Sequence, residues 1–450
     1  MFYRCSNQDC GYLIQGSPPQ LCPVCGCGYF KKEEEDRIDG QGWIILGYQA
    51  EVRKDWEQAA GYYGAGTALG YPPAQCALGW CYETGHGVER SPEEAVRLYR
   101  LSAEAGYPPA QCNLAWCYEN GRGVRQDMGQ AVYWYKEAAE QQFPRALCNL
   151  GLCHETGRGV EQSWEQAASL YRAAALREYT PARHVLGWCY EHGRGVEQNY
   201  GLAFHWYEQA AKQKDAEGLY NIGIYFLRNG QTQEEWEKAI QPLRQAALEG
   251  HASAQYYLGW CYEHGQGSDQ DTEQALYWYR KAAEQGDPES ICRLGLFYEY
   301  GYGVEQSWER AVHLYRVAAE QGYSPAQCNL AWCHANGKGV NKDLREAVYW
   351  YEKAAYQGNS RGQFNLGVCY ANGEGVMRDD RQAAAWYRLA AEQGEPSAKY
   401  NLGWCYEHGL GVKRDYKEAL RLYREAAQLG VEPARRLMEE LVTLLQNFKN

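Results

Sequence analysis

The chain has 450 residues, 45% of them hydrophobic and 23% charged, and a formal net charge of −12. That balance leaves no basic footprint for nucleic-acid phosphates or anionic membrane surfaces, while supplying enough apolar material to pack. Eighteen cysteines, with no stretch that reads as a signal peptide or membrane span, point to a reducing, cytoplasmic setting in which they serve as thiols or metal ligands rather than disulfides.

Residues 1–30 stand apart, with Cys5 and Cys10 as one pair and Cys22 and Cys25 as a second. The second pair sits in C-P-x-C-G, a tight turn that points thiolates and backbone amides at one centre. Four thiolates so spaced suit a tetrahedral metal, whose binding supplies the folding energy that a small module lacks. The CGY after the first pair and the PxxCPxC at the second resemble the rubredoxin-like zinc-ribbon family. The first knuckle departs from that family, with four residues between its cysteines in place of two. The resemblance therefore implies one structural zinc rather than an electron-transferring iron, with Cys27 as a spare thiol. Lys31–Gly40, KKEEEDRIDG, reads as a solvated linker.

Residues 41–73 form a shortened unit in which Leu46-Gly47 precedes a helix starting near Asp55, the atypical first repeat that stacked arrays use as a cap. Residues 74–430 then contain ten units. Their central aliphatic residue recurs every 36 positions from Leu78 and Leu114 to Leu402. Within a unit an aliphatic, a small residue and an aromatic at i, i+1 and i+4 give one helical stripe, helix A. A G-x-G-V loop ends helix A. Caps such as Ser91, Asp127, Asp343 and Asp415, with Glu or Gln three residues on, predict capping boxes that open an antiparallel helix B. The unit around Asn221 breaks the pattern: it has Glu235 at the cap position and Pro242 inside helix B, predicting a later start, a kink or a shortened helix. Residues 431–450 read as a closing helix with Leu437, Leu441 and Leu445 on its inner face. The fold class is all-α apart from the N-terminal module, a solenoid of 36-residue helix-turn-helix repeats.

The pattern A-x-x-x-L-G-x-x-Y-x-x-G-x-G-V, an acidic cap, A-x-x-W-Y-x-x-A-A and G resembles the Sel-one-like repeat (SLR) family, relatives of tetratricopeptide repeats, over residues 41–450. The resemblance implies a right-handed α-solenoid acting as a non-catalytic adaptor for a protein or peptide. Some family members have been described as β-lactamases or penicillin binders, with cysteines in helix B bridging the pair. Here every repeat cysteine is on helix A, so a hydrolase of that kind stands only as an alternative. A metal- or redox-sensing role for the N-terminal module is another.

Two columns of cysteines, one through Cys81, Cys117 and Cys153 and one through Cys76, Cys112 and Cys148, read as small apolar core groups. If helix A lines the concave side, as in the tetratricopeptide relatives, Asn113, Asn149, Asn329, Asn365 and Asn401 face the groove with Trp116, Trp188, Trp260, Trp332 and Trp404. The resemblance implies that the amides grip a peptide backbone, since an amide offers both donor and acceptor. Tryptophans supply contact area of the hot-spot kind. The alternative is that Trp packs between repeats and Asn bonds the neighbouring helix. A glutamate column, Glu83, Glu119, Glu155, Glu191, Glu263, Glu299 and Glu407, would make the groove acidic and favour a basic or mixed peptide. His192, His264 and His408 precede the loop glycine and read as loop or cap residues rather than a metal cluster. No triad, phosphate loop or paired-carboxylate cleft argues for catalysis.

Overall fold

The computed structural model describes residues 2–5, 12–15, 22–24, 30–34, 38–213 and 215–447. The chain divides into two compact units, Met1–Asn221 and Ile222–Asn450.

The first unit opens with an antiparallel sheet of β1 (Phe2–Cys5), β2 (Leu13–Gln15) and β3 (Phe30–Glu33), in the order β2-β1-β3. Phe2 is opposite both Gln15 and Glu33. The charged run expected as a linker therefore supplies the third strand. β3 lies at an edge, where exposed lysines such as Lys31 and Lys32 are tolerated and discourage pairing with another chain. Helix α1 (Gly40–Val52), N-capped by the Asp39 side chain, carries Trp43 and Ile44 into one cluster with Phe2, Leu13 and Ile38. Phe2 meets Trp43 edge-on at 5.7 Å, and Gln49 Nε2 donates to the Leu13 carbonyl at 2.6 Å. Together with α2 (Trp56–Ala68), α1 makes the shortened first hairpin, and the sheet packs against it.

Helices A and B then alternate. In the first unit the A helices are α3 (Pro72–Thr84), α5 (Pro108–Asn120), α7 (Pro144–Thr156) and α9 (Thr180–His192); the B helices are α4 (Pro92–Glu104), α6 (Met128–Glu140), α8 (Trp164–Ala175) and α10 (Tyr200–Ala211). Helix α11 (Ala216–Asn229) contains the boundary between the units. In the second unit α12 (Gln233–Leu248) is followed by A helices α13 (Ala252–His264), α15 (Pro288–Tyr300), α17 (Ser324–Asn336), α19 (Ser360–Asn372) and α21 (Pro396–His408). Their B partners are α14 (Thr272–Glu284), α16 (Trp308–Glu320), α18 (Leu344–Tyr356), α20 (Asp380–Glu392) and α22 (Tyr416–Gln428), and α23 (Glu432–Asn447) closes the unit. The A helices begin at residue 72 of the first full repeat, two residues before the expected start, because Pro72 occupies the first helical position, where its missing N–H costs nothing.

The regular hairpins share four features. The small residue after the central aliphatic admits a helix B tyrosine: a Cβ on Gly79 would stand 2.8 Å from the Tyr99 ring, and one on Gly295 2.5 Å from Tyr315. Helix A ends on a left-handed glycine such as Gly85 (φ 82°), as expected. The second loop glycine touches the preceding helix B, so a Cβ on Gly195 (φ 68°) would lie 1.9 Å from the Trp164 carbonyl oxygen. Ser91, Asp127, Asn199, Asp271 and their equivalents cap helix B by accepting the third amide. That cap is one-way; the reciprocal capping box is formed by Thr232 and Glu235.

The box lies in the irregular repeat and overturns the expectation for it. Glu235 is not the cap but the third residue of a helix that starts early. At 16 residues α12 runs longer than the neighbouring B helices α10 and α14 and passes through Pro242. Closing helix α23 buries Leu441 beside Tyr423, with Leu437 against the same cluster; the Leu445 side chain lies outside the described residues.

Candidate functional site: a cleft-bearing face of the A helices

The cysteine columns are core. Cys81, Cys189, Cys261 and Cys333 are fully buried, and the described repeat cysteines form no disulfide. Burial pushes the thiols of Cys117 and Cys261 up to about 12 and that of Cys112 to about 11. They are inert packing groups at neutral pH.

The asparagines divide their bonding between neighbours. Asn113 Nδ2 donates to Cys76 Sγ at 3.7 Å while its Oδ1 accepts from Arg145 at 3.0 Å. Asn329 repeats this with Cys292 at 3.7 Å and Arg361 at 3.2 Å, and Asn149 donates to Cys112 Sγ at 3.8 Å. A lattice of weak bonds thus runs along successive A helices, and these amides stay half-buried at the surface. Asn365 and Asn401 are half-buried too, with Asn401 beside the Tyr387 hydroxyl.

The tryptophans lie on the same face. Trp188 is 37% exposed and Trp404 41%, while Trp116, Trp260 and Trp332 are half-buried. Trp188, Trp260 and Trp404 stack on His192, His264 and His408, whose Nδ1 atoms approach the Trp carbonyls at 2.9 to 3.1 Å. The histidines are therefore the last residues of their helices, one place before the glycine cap, rather than loop or cap residues themselves. Trp332 stacks on Trp308 of the preceding B helix at 5.8 Å, and Arg122 covers Trp116 at 5.7 Å. From Trp116 onward the position alternates: Leu152, Trp188, Ile224, Trp260, Leu296, Trp332, Val368, Trp404.

The glutamate column is tied inward rather than merely solvated. Tyr99 OH donates to Glu83 at 2.6 Å, Tyr135 to Glu119 at 2.8 Å, and Tyr279 to Glu263 at 2.6 Å. Burial, reinforced by the carboxylate, holds these phenols protonated far above their ordinary range. Where helix B has Leu243 in place of the tyrosine, the glutamate position holds Leu227.

Clefts open between successive A helices. One of about 300 Å³ is lined by Asn149, Leu152, Glu155, His184, Val185 and Trp188 among others. A cleft of about 240 Å³ in the second unit is lined by Leu296, Glu299, Asn329, Trp332 and Arg361. A third brings Asn401 to Trp404, and a fourth Asn113 to Trp80. The structure thus joins predicted Asn and Trp residues in shared clefts, and adds Leu152 and Leu296, which no motif singled out.

Two further features carried no functional signal in the sequence. Buried glutamines crosslink α5, α13, α17 and α19 to both adjacent B helices: Gln111 donates to the Ala103 carbonyl at 3.2 Å and accepts from Gln141 at 2.9 Å, and Gln255, Gln327 and Gln363 repeat the pattern. On the B helices, Tyr133, Tyr277 and Tyr349 are 45 to 49% exposed. The glutamines could have been found by their recurrence three residues before the central aliphatic.

Of the expected metal ligands, Cys5 and Cys22 are buried in the N-terminal module, and Cys10 and Cys25 lie outside the described residues. Among the described residues no group of three or more His, Cys, Asp or Glu is arranged to hold a metal, and no helix is long and apolar enough to cross a membrane.

Stacked helical hairpins with recurrent Trp- and Asn-lined clefts define an α-solenoid repeat protein. The chain belongs to the Sel1-repeat family: the Sel1 repeat matches ten consecutive segments, from 72–107 to 396–431. It is similar to a crystallised protective antigen of uropathogenic Escherichia coli displaying an SLR fold, with 34% identity and a TM-score of 0.62 over 89% of this chain and 88% of that one. It also resembles a Sel1 repeat protein from Oxalobacter formigenes, with 30% identity and a TM-score of 0.50 over 68% of this chain and 89% of that one. No curated protein sequence matches it. Sel1-repeat proteins generally act as protein–protein interaction scaffolds and are typically non-catalytic.

Proposed function

We propose that this protein is a non-catalytic adaptor that docks an extended segment of a partner protein along the face formed by its A helices. The observation that carries the reading is the return of one cleft, walled by tryptophan and edged by asparagine, in both units. A recurrent pocket suits a partner whose side chains repeat along an extended backbone. The glutamate column and the net charge of −12 favour a basic or mixed segment.

The test uses peptides selected from a random phage-displayed library on the full-length protein. Trp188→Ala and Trp404→Ala should each weaken binding about tenfold or more, as expected for hot-spot aromatics, with melting curves close to wild type. Tyr277→Ala, on helix B, should bind as wild type. Equal binding by all three variants would move the docking surface elsewhere.

We further propose that Cys5, Cys10, Cys22 and Cys25 hold one structural zinc, and that the protein works in the cytoplasm. The four-thiol spacing and the burial of Cys5 and Cys22 support the metal. Elemental analysis of the purified protein should give one zinc per chain, and Cys22→Ser should abolish it. An iron-loaded or metal-free protein would overturn this.

A further inference from the structure

We infer that the cleft edged by α7, α9 and α11 in the first unit is a pocket for one cationic side chain, a lysine or arginine of the docked segment. This rests on the docking reading above and adds what the pocket selects. Its apolar wall is Leu152, Val185 and Trp188, with Leu152 40% and Trp188 37% exposed. Glu155 and Glu217 bring carboxylates to the same cleft, and among the described residues no lysine or arginine lines it. An aliphatic stem against the indole, with its charge at a carboxylate, fits that combination.

Two equivalent glutamates are neutralised from within the chain, whereas Glu155, like Glu83 and Glu299, is not. Glu119 is paired with Arg158 of the following loop at 3.1 Å, and Glu263 with Arg293 of the following A helix at 3.5 Å. For Glu155 the same two positions hold Arg194 and Val185. Arg194 is committed to the Trp164 ring at 5.4 Å, and Val185 has no charge. Both internal sources of positive charge are thus diverted or replaced at this repeat. Tyr171 OH meanwhile donates to Glu155 Oε2 at 2.6 Å and fixes the carboxylate at the cleft. At the edge, His184 Nδ1 faces Asp215 at 3.7 Å, which keeps a carboxylate beside the imidazole. The corresponding cleft of the second unit keeps leucine, glutamate and tryptophan as Leu296, Glu299 and Trp332, but has Arg361 where the first has Glu217. That cleft carries its own cation and should show no preference for a basic residue.

The experiment takes the selected peptides and replaces each basic residue in turn by norleucine, which keeps the stem and removes the charge. One such replacement should weaken binding to wild type about tenfold, yet change binding to Glu155→Gln less than twofold. Val185→Arg, which copies the internal pairing of Glu263, should give the same loss by occupying the carboxylate from within. Glu140→Gln, which removes an exposed carboxylate on helix α6 away from the clefts, should behave as wild type. Norleucine losses that persist in both Glu155→Gln and Val185→Arg, or selected peptides with no basic residue, would overturn the cationic pocket while leaving the docking face standing. Retained binding in both Trp188→Ala and Trp404→Ala would remove the docking face itself, and the pocket with it.

Discussion

At the scale of single residues, the buried thiols and phenols have one joint consequence. In the folded chain burial pushes Cys117, Cys189 and Cys261 from 9.0 to about 12, and Tyr99 and Tyr279 are raised further above their ordinary value of 10. A group whose folded pKa is raised favours folding fully while the pH stays below its unfolded value. Above that value the unfolded chain releases protons that the folded chain holds. Stability should therefore be level up to about pH 9 and fall steadily towards pH 12, seen as a falling urea midpoint. Iodoacetamide near pH 8 should leave these three cysteines unmodified until the chain is denatured. The apolar character of the cysteine columns was legible because one small residue per repeat at one helical position has little else to do. The division of Asn113 and Asn329 between a thiol and a guanidinium was not, since both partners come from other repeats and depend on inter-repeat register. The tyrosine–glutamate pairs were equally hidden, although the joint loss of both members at Leu243 and Leu227 was present in the chain.

Helices and loops were the most legible level, because caps and glycines act over a few residues. Glycines that look alike nevertheless differ in what they touch. A methyl group added to Gly106 (φ 84°) would have nothing within 4 Å, whereas one on Gly195 (φ 68°) would meet the Trp164 carbonyl oxygen at 1.9 Å. Gly106→Ala should cost about 1 kcal/mol from the left-handed backbone alone. Gly195→Ala should cost about 3 kcal/mol or more, because the preceding helix B must also move. Chemical denaturation of the two variants measures the difference. The irregular repeat departs from expectation because its cap outweighs its proline. Thr232 and Glu235 satisfy each other's backbone amides three residues upstream of the regular cap position, and the helix that follows continues through Pro242 despite the lost hydrogen bond.

For the molecule as a whole, the repeat count, the cap at the start and the closing helix could all be read from periodicity, since stacked repeats bury their apolar faces only on each other. The strand Phe30–Glu33 could not, because an edge strand tolerates the same lysines and glutamates that a linker would. The clefts were half legible: their tryptophans announced themselves, but Leu152 and Leu296 matter for being smaller than what replaces them in adjacent repeats. That substitution pattern also constrains how such a chain changes length. From Trp116 to Trp404 indole and aliphatic side chains strictly alternate, and Trp116 and Trp188 are 72 residues apart. Inserting or deleting one hairpin within that span would set two indoles or two aliphatics at successive positions and break the alternation of large and small walls. Duplication or loss of two hairpins together keeps the alternation intact, so the pair is the smallest step by which this span can change length without breaking it.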